Sequence, residues 1–305
     1  MADKTDNSKS AIRNVVRSMR LRTLPLSLAG VLCGGLLAAF FRGGGSSLTL
    51  LLTALTACSL QVLSNLSNEM GDFRSGVDDE RRQGPSYGMA SGLSERQLWH
   101  AINTMVVVCA VSGLAMVVVS HSPWWLLLLG AAAIWAATHY TLGKKPYGYR
   151  GLGDLFVFIF FGLVSVLGSF FVYSQTIDFR LWLMAPAVGM GLLSVAVLNV
   201  NNIRDMRSDQ GLRKTIPLRI GSHAAKWYQT VLVVVGVGIF FLVPQRPYAM
   251  LVSLPFFVIH LVFVWTREGR KLDPALPILV LSTFVLAVLY AFNAAYSPLR
   301  QIYGL

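Results

Sequence analysis

Long stretches of apolar residues, each about the length of one membrane crossing, dominate the hydropathy pattern of this chain. A helix that spans the hydrocarbon core of a bilayer needs about 20 mostly apolar residues. The runs are continuous rather than alternating, which favours helices over the strands of a membrane barrel. The pattern therefore predicts an all-α integral membrane protein. Its nine predicted spans, of which the first is the shortest, are 24–41, 47–67, 103–120, 124–142, 155–173, 181–200, 226–244, 248–265 and 276–296.

The two ends of the chain are polar, and no linker divides the part between them. Residues 1–22 are polar and basic and lack the short apolar core and cleavage site of a signal peptide. No Pro-rich or Ser-rich stretch interrupts residues 23–297. We therefore predict a basic N-terminal segment (1–22), one membrane domain (23–297) and a short tail (298–305).

The charges are few and unevenly distributed. Only 13% of the residues are charged, whereas soluble domains contain about 25%. The net charge is +12, and if loops alternate between the two sides, all but four of the 26 Lys and Arg residues lie on one side. The four on the other side are Arg42, Arg180, Arg246 and Arg300. The positive-inside rule then places the N-terminus and the long loops in the cytoplasm and the C-terminus outside. Since topology accounts for the positive charge, we predict no nucleic-acid partner.

Acidic residues are scarce, yet they concentrate at the end of the second apolar segment. Five of the 14 lie within twelve positions of the stretch SNLSNEMGDFRSGVDDERR, residues 64–82. A second polar stretch, LNVNNIRDMRSDQGLRKTIPLRIG, follows the sixth apolar segment at residues 198–221. The pattern thus occurs twice, at the same predicted level of the membrane.

Both polar stretches carry amides and carboxylates with the same helical spacing. Offsets of i, i+3 and i+7 fall within about 60° of one another on a helix, which is a single face. The first face contains Asn65, Asn68 and Asp72. The second contains Asn202, Asp205 and Asp209. Ionisable groups at membrane depth are costly, so a pair of such faces indicates a functional site.

The chemistry of these side chains favours a site for magnesium and diphosphate. Amide and carboxylate oxygens suit Mg²⁺, which usually takes one or two carboxylates and completes its shell with water and phosphate. Two opposed faces would hold such ions around one diphosphate and stabilise it as it leaves. For Asp78, Asp79, Glu80 and Glu95, taken singly, a solvated loop position explains the residue better.

Basic residues flank both acidic faces. Arg forks onto phosphate oxygens and Lys acts as a point charge, although about half of these cations are explained by topology alone. The loop LGKKPYGYRGLGDL adds Lys145, Arg150 and the acidic Asp154. The candidates for binding diphosphate or substrate are Asn65, Asn202, Arg22, Arg82, Lys145, Arg150, Lys214 and Tyr147.

The cysteines and the histidines within spans receive no chemical role. Cys33, Cys58 and Cys109 lie singly in apolar segments without ligand spacing. For His139 and His260, which have no acidic neighbour in sequence, we expect packing or a local hydrogen bond.

Two other classes of membrane protein fit the pattern less well. Secondary transporters hold their ions near the bilayer midplane, often at broken helices, whereas these acidic faces lie at helix ends. Phosphatidyl-alcohol transferases also carry membrane Asp clusters, but their DxxDGxxAR sequence is absent.

The two polar stretches resemble the aspartate-rich motifs of the UbiA-type superfamily of intramembrane prenyltransferases. NLSNEMGDFRSGVDDE is similar to the first motif and NNIRDMRSD to the second. Three further segments resemble the branch that acts on 1,4-dihydroxy-2-naphthoate in menaquinone synthesis: RLRTLP, RRQGPSYGMASGLS and KPYGYRGLGDLFVFIFFGLVSVLGSFF. The resemblance extends from about residue 20 to residue 295.

The resemblance implies which residues hold metal and diphosphate. Asp72 and Asp205 are expected to be catalytic, and Asn202 to support the second motif. Glu69 and Gly76 depart from the common NDxxDxxxD pattern, and Asp78 takes over the last acidic position. The implied metal ligands are Asn68, Asp72, Asp78, Asp205 and Asp209.

The resemblance also implies a fold and a reaction. The fold is nine transmembrane helices around a central cavity, with a cytoplasmic cap formed by the loops after the second and sixth helices. Loss of diphosphate from a polyprenyl diphosphate, assisted by the cofactor Mg²⁺, gives an allylic cation. The naphthoate ring attacks this cation and loses carbon dioxide and a proton to give demethylmenaquinone. Localisation would be the bacterial inner membrane. The aromatic residues expected to shield the cation are Tyr140, Tyr147, Tyr149 and Phe161.

The identity of the acceptor rests on the resemblance alone. The acidic motifs do not distinguish the naphthoate from a monocyclic acid such as 4-hydroxybenzoate, which stays open as an alternative. Because orientation matters in such a coupling, we expect Lys145 or Arg150 to act as a catalytic residue that holds the acceptor carboxylate.

Overall fold

The computed structural model of this protein describes residues 2–42, 46–76, 87–243 and 248–295, and all regular secondary structure in this part is helical. The helices lie where the apolar segments predict them. In chain order they are α1 (Ala2–Ser18), α2 (Leu24–Arg42), α3 (Ser47–Arg74), α4 (Glu95–Val119), α5 (Leu126–His139), α6 (Gly153–Val157), a π-helix (Phe158–Gly168), α7 (Ser169–Ser174), α8 (Leu181–Asp209), α9 (Ile216–Ile220), α10 (Ser222–Phe240), α11 (Tyr248–Leu251), α12 (Leu254–Thr266) and α13 (Ala275–Ala295).

Seven helical stretches of the described chain are long and apolar enough to cross a membrane. The protein is therefore a multi-pass membrane protein. Helix α5 is apolar but has only 14 residues, and α10 is not among the seven. The predicted count of nine crossings stays a prediction, although all nine apolar segments lie on helices.

Helices α3 and α8 are longer than predicted, and this difference matters for function. The predicted spans end at residues 67 and 200, whereas the helices continue to Arg74 and Asp209. Asp72 and Asp209 therefore both lie within helices, which preserves the spacing of each face. The beginning of α3 is fixed by Ser46, whose side chain accepts a hydrogen bond from the backbone of Thr49.

The π-helix packs against α8 at a very short distance. A Cβ atom added to Gly162 of the π-helix would lie 2.6 Å from the Cα of Gly191 in α8. Small residues at such a crossing let two membrane helices approach closely. π-helical segments are rare and occur often at functional sites, and this one lines the large cavity described below.

At the end of the bundle away from the acidic motifs, an aromatic core joins α2, α7, α8 and α13. Trp182 is fully buried against Phe41 and Phe170, and its carbonyl accepts a hydrogen bond from the hydroxyl of Tyr290 at 2.6 Å. Nearby, Asp178 binds two arginines at the same end, Arg42 at 3.1 Å and Arg180 at 2.6 Å. These two arginines belong to the four that the charge pattern assigns to one side.

A buried chain of hydrogen bonds links α8, α10 and α12 to the start of α13. Asn199 donates to the Oε1 of Gln229 at 2.8 Å, and Gln229 pairs with the Nε2 of His260 at 2.9 Å. The Nδ1 of His260 lies 2.9 Å from the carbonyl of Ala275. For His260, the expectation of packing is confirmed, while its hydrogen-bond partners lie 31 and 15 positions away rather than locally.

Candidate active site

The two predicted polar faces lie opposite each other around a small polar cavity. The C-terminal part of α3 contributes Asn68 and Asp72, and the C-terminal part of α8 contributes Asn202, Asp205 and Asp209. The cavity has a volume of about 70 Å³. Its remaining lining residues are Arg20, Tyr140, Thr141, Leu198, Asn201, Ser208 and Arg213.

The guanidinium of Arg213 lies between the two acidic faces. It donates a hydrogen bond to Asp72, and its Nη1 is 3.7 Å from the Oδ2 of Asp209. Burial by itself would lower the pKa of Arg213, but the carboxylates of Asp72 and Asp209 raise it above its usual value. Arg213 therefore remains charged and offsets two buried carboxylates. Sequence reasoning did not select it, although its i,i+4 spacing from Asp209 is a usable signal.

Tyr149 completes this cluster from the loop that follows α5. Its hydroxyl donates to Asp72 at 2.9 Å and lies 2.9 Å from the hydroxyl of Ser75. Its ring lies under Arg213, 4.9 Å from the guanidinium carbon. Burial raises the pKa of Tyr149, so the phenol stays neutral and acts as a donor.

Asp205 is held by a different arginine, its neighbour in sequence. Arg204 makes two hydrogen bonds to the Asp205 carboxylate, at 2.9 and 2.7 Å. Arg204 also donates to Asp273 at 2.8 Å, and Asp273 in turn pairs with Arg22 at 3.3 Å. These contacts connect two segments, the one before α2 and the one before α13, to the second motif. Asp273 was not predicted, because nothing in its local sequence marks it.

A much larger cavity adjoins the polar one. It has a volume of about 650 Å³ and is lined mainly by apolar residues of α2 to α5, the π-helix, α8 and α13. The predicted residues Arg22, Asn65 and Tyr147 lie on its wall. The residues that line both cavities are Arg20, Asn68, Tyr140, Leu198 and Asn201.

Aromatic rings form a row along one wall of the large cavity. Tyr147 stacks on Phe156 with ring centroids 4.0 Å apart, and Phe156 stacks on Phe160 at 6.3 Å. Tyr140 meets Tyr147 edge to face at 5.4 Å. Of the predicted shielding residues, Tyr140, Tyr147 and Phe161 line this cavity. Tyr149 instead contacts the acidic cluster.

Several predicted residues lie away from both cavities or outside the described part of the chain. The side chains of Lys145, Arg150 and Lys214 are exposed and line neither cavity. Asp78 and Arg82 lie outside the described residues. The roles predicted for these five residues stay predictions.

Two other acidic residues of the motif regions have structural partners. Glu69 is fully buried and accepts a hydrogen bond from the backbone of Met89 at 2.7 Å. Asp154 accepts a hydrogen bond from the hydroxyl of Tyr228 at 2.9 Å. Within the part of the chain that the structure describes, no three His, Cys, Asp or Glu side chains lie close enough to hold a metal ion on their own.

Comparison with known proteins identifies the family. The model of the UbiA prenyltransferase family matches residues 27–275. This chain belongs to the UbiA prenyltransferase family. The 1,4-dihydroxy-2-naphthoate octaprenyltransferase of Haemophilus influenzae is 34% identical over 288 residues, which cover 90% of this chain and 93% of that protein. The octaprenyltransferase of the same name from Escherichia coli is 40% identical over 234 residues, 75% of each chain.

A solved UbiA structure shares the fold at low sequence identity. The UbiA homologue of Archaeoglobus fulgidus bound to GPP and Mg²⁺ superposes with a TM-score of 0.59 at 15% identity. The alignment covers 92% of this chain and 98% of that chain. The arrangement of helices is therefore that of the UbiA fold, in which α3 and α8 bring the two polar motifs together.

Proposed function

We propose that this UbiA-family protein transfers a polyprenyl group from polyprenyl diphosphate to 1,4-dihydroxy-2-naphthoate, with decarboxylation, to give demethylmenaquinone. The observation that carries the proposal is that the small polar cavity, with its acidic side chains, adjoins the large apolar one. A polyprenyl diphosphate has the same two parts, a charged head and a long apolar tail. The names of the relatives in Haemophilus influenzae and Escherichia coli support the naphthoate as acceptor.

The donor set around the polar cavity fits Mg²⁺. Carboxylates of Asp72 and Asp209 already face one cationic group, the Arg213 guanidinium, and the cavity is also lined by Asn68 and Asp205. Mg²⁺ needs only one or two carboxylates when phosphate oxygens complete its shell. When bound, magnesium supplies positive charge that neutralises the diphosphate as it leaves. The proposed ligands are Asn68, Asp72, Asp78, Asp205 and Asp209, with Asn202 in support.

Arg213 changes partners in this proposal. Without metal it offsets the charges of Asp72 and Asp209, which otherwise repel each other. If these carboxylates held metal, the guanidinium would be free to contact the diphosphate, since its fork matches phosphate oxygens. Arg82 and Lys214 are the further proposed diphosphate contacts.

The large cavity holds the tail and keeps water from the reacting carbon. Its apolar walls bury the isoprenoid chain, which the hydrophobic effect favours. The faces of Tyr140, Tyr147 and Phe161 stabilise positive charge as it develops on the prenyl group. Exclusion of water by the same walls protects this carbon from hydrolysis.

The proposal also covers the number of membrane crossings, their orientation and the membrane in which the protein resides. Nine crossings surround the cavity, the N-terminus and a cap over the polar motifs face the cytoplasm, and the protein resides in the bacterial inner membrane. The support is the distribution of Lys and Arg, which favours a cytoplasmic position for the loops beside both motifs.

An acceptor panel tests this function. Membranes containing the protein receive labelled polyprenyl diphosphate with either the naphthoate or 4-hydroxybenzoate, with and without EDTA. We expect prenylation of the naphthoate with release of its carboxyl carbon as carbon dioxide, loss of activity in EDTA and recovery with excess Mg²⁺. Prenylation of 4-hydroxybenzoate with its carboxylate retained, and none of the naphthoate, would overturn the acceptor assignment.

A further inference from the structure

Arg20 adopts a backbone conformation that is rare for residues with a side chain. It lies just before the short 3₁₀ helix Leu21–Thr23 with φ 49° and ψ 50°, in the left-handed region. The carbonyl of Arg20 accepts hydrogen bonds from both the backbone and the hydroxyl of Thr23, each at 2.9 Å. The turn is therefore held in place locally. Strained conformations of this kind concentrate at functional sites.

The side chain of Arg20 is fixed in orientation but retains donors without partners. Its guanidinium carbon lies 4.1 Å from the ring centroid of Tyr87, a cation–π arrangement. The hydroxyl of Tyr87 accepts a hydrogen bond from Arg22 at 3.1 Å, which holds the ring. Among the residues that the structure describes, the Nε and Nη2 atoms of Arg20 are buried and have no hydrogen-bond partner. A buried donor of a charged group costs free energy when it is unpaired, so an acceptor that pairs with these two atoms would stabilise the protein.

Arg20 is also the cation at the junction of the two cavities. Among the described residues that line both, it is the one with a positive charge. The other arginines on these walls are engaged: Arg22 with Asp273, and Arg213 with Asp72 and Asp209. Arg20 thus places a guanidinium, two of whose nitrogens have no partner among the described residues, at the wall where the polar and apolar spaces meet.

We infer that Arg20 binds the carboxylate of the aromatic acceptor and so positions its ring at the junction. The inference rests on the proposed function. The reacting carbon of the prenyl donor joins its charged head to its apolar tail, and must lie where the two cavities meet. The diphosphate has metal ions to neutralise it, whereas the acceptor carboxylate needs a cation of its own. A planar guanidinium pairs with a carboxylate through two parallel hydrogen bonds.

This assignment differs from the one that the sequence suggested. Lys145 or Arg150 was expected to hold the acceptor carboxylate, but both side chains are exposed and line neither cavity. Arg20, in contrast, lines both cavities. The two assignments predict different variants with impaired acceptor binding, so kinetics distinguishes them.

The test compares acceptor selectivity in Arg20→Gly, Arg20→Lys and wild type. Glycine tolerates the left-handed backbone, so Arg20→Gly removes the guanidinium without adding strain, and Arg20→Lys keeps the charge but loses the fork. Arg13→Ala, on the exposed surface of α1, is the matched control. KM is measured for the naphthoate, for 1,4-dihydroxynaphthalene, which lacks the carboxylate, and for the prenyl diphosphate.

We expect Arg20→Gly to raise the KM for the naphthoate about 10- to 100-fold, the range for losing hydrogen bonds to a charged group. The KM for the prenyl diphosphate and that for 1,4-dihydroxynaphthalene should change little, so the preference for the acid disappears. Arg20→Lys should retain part of the preference. A structural defect would instead raise the KM values for both acceptors by similar factors.

Three results would overturn the inference. One is a rise in the KM for the prenyl diphosphate alone, which assigns Arg20 to the diphosphate. Another is an unchanged preference for the acid in both Arg20 variants, and the third is loss of that preference in Arg150→Ala instead. If the wild-type protein does not prenylate the naphthoate at all, the proposed function fails before the role of Arg20 is in question.

Discussion

Arg213 donates a hydrogen bond to the carboxylate of Asp72, a residue 141 positions earlier in the chain. This contact joins the two polar motifs through a positively charged group, and the same guanidinium faces Asp209. The UbiA homologue of Archaeoglobus fulgidus is bound to GPP and Mg²⁺. In this protein, the guanidinium of Arg213 lies between carboxylates that we propose as metal ligands. Four predictions follow from the arrangement and from the fold around it.

Replacing either Asp72 or Asp205 by Asn should remove activity but not the fold. We expect turnover to fall by more than about 100-fold, because loss of residues that merely orient metal ligands already costs about 10- to 100-fold. Turnover and monodispersity of the purified variants are the measurements. Glu95→Gln is the control, since Glu95 forms an exposed pair with Arg74. Full activity of both variants, or of the wild type in EDTA, would exclude the metal assignment.

Replacing Arg213 by Ala should destabilise the metal-free protein. Removing one partner of a buried ion pair costs about 3–5 kcal/mol, and Asp72 and Asp209 are both buried. The midpoint of thermal unfolding in detergent should fall, and Mg²⁺ should restore more of it in the variant than in the wild type.

The matched control for Arg213→Ala is Arg207→Ala. Arg207 is 85% exposed and its nearest ion-pair atom, on Glu268, is 3.9 Å away, so an effect below about 0.5 kcal/mol is expected. Equal unfolding midpoints for Arg213→Ala and wild type, without metal, would contradict the proposed charge balance.

Replacing Gln229 by Leu should break the buried chain from Asn199 to His260. Both neighbours then lose a hydrogen bond in the interior, which costs about 1–3 kcal/mol for each unsatisfied group. Thermal unfolding should occur at a lower temperature, while the KM values of the remaining folded enzyme stay near wild type. Val231→Ala, at an exposed position of the same helix, should have a smaller effect. A similar midpoint for the two variants would argue against the network as a source of stability.

Impermeant maleimide should label the two ends of the bundle from opposite sides. We place single cysteines at the exposed positions Lys144 and Thr176, in a background without the native cysteines. The distribution of Lys and Arg predicts that Lys144→Cys reacts from the cytoplasmic side and Thr176→Cys from outside. Labelling of both from one side would show that the number of crossings between them is wrong. The native cysteines to be replaced are Cys33, Cys58 and Cys109.

The sequence by itself determined the class of protein and the faces that carry the chemistry. Apolar length fixes a membrane helix, because a spanning segment must satisfy its backbone hydrogen bonds internally. The i, i+3, i+7 spacing places Asn68 beside Asp72, and Asn202 beside Asp205, on any helix. These features depend on residues near one another in the chain, so periodicity reveals them.

Tertiary structure alone decided which partners these faces have. The pairing of Asp72 with Arg213, the Arg204–Asp273 contact and the position of Arg20 at the junction of two cavities join segments far apart in sequence. Such contacts depend on how closely helices approach, as at Gly162 and Gly191, and on loops whose side chains carry no periodic signal. Lys145 and Arg150 illustrate the limit: basic character predicts a binding role, which stays a prediction, and only the structure shows that both side chains are exposed. Charge can be read from a sequence, but the direction in which a loop presents it depends on packing.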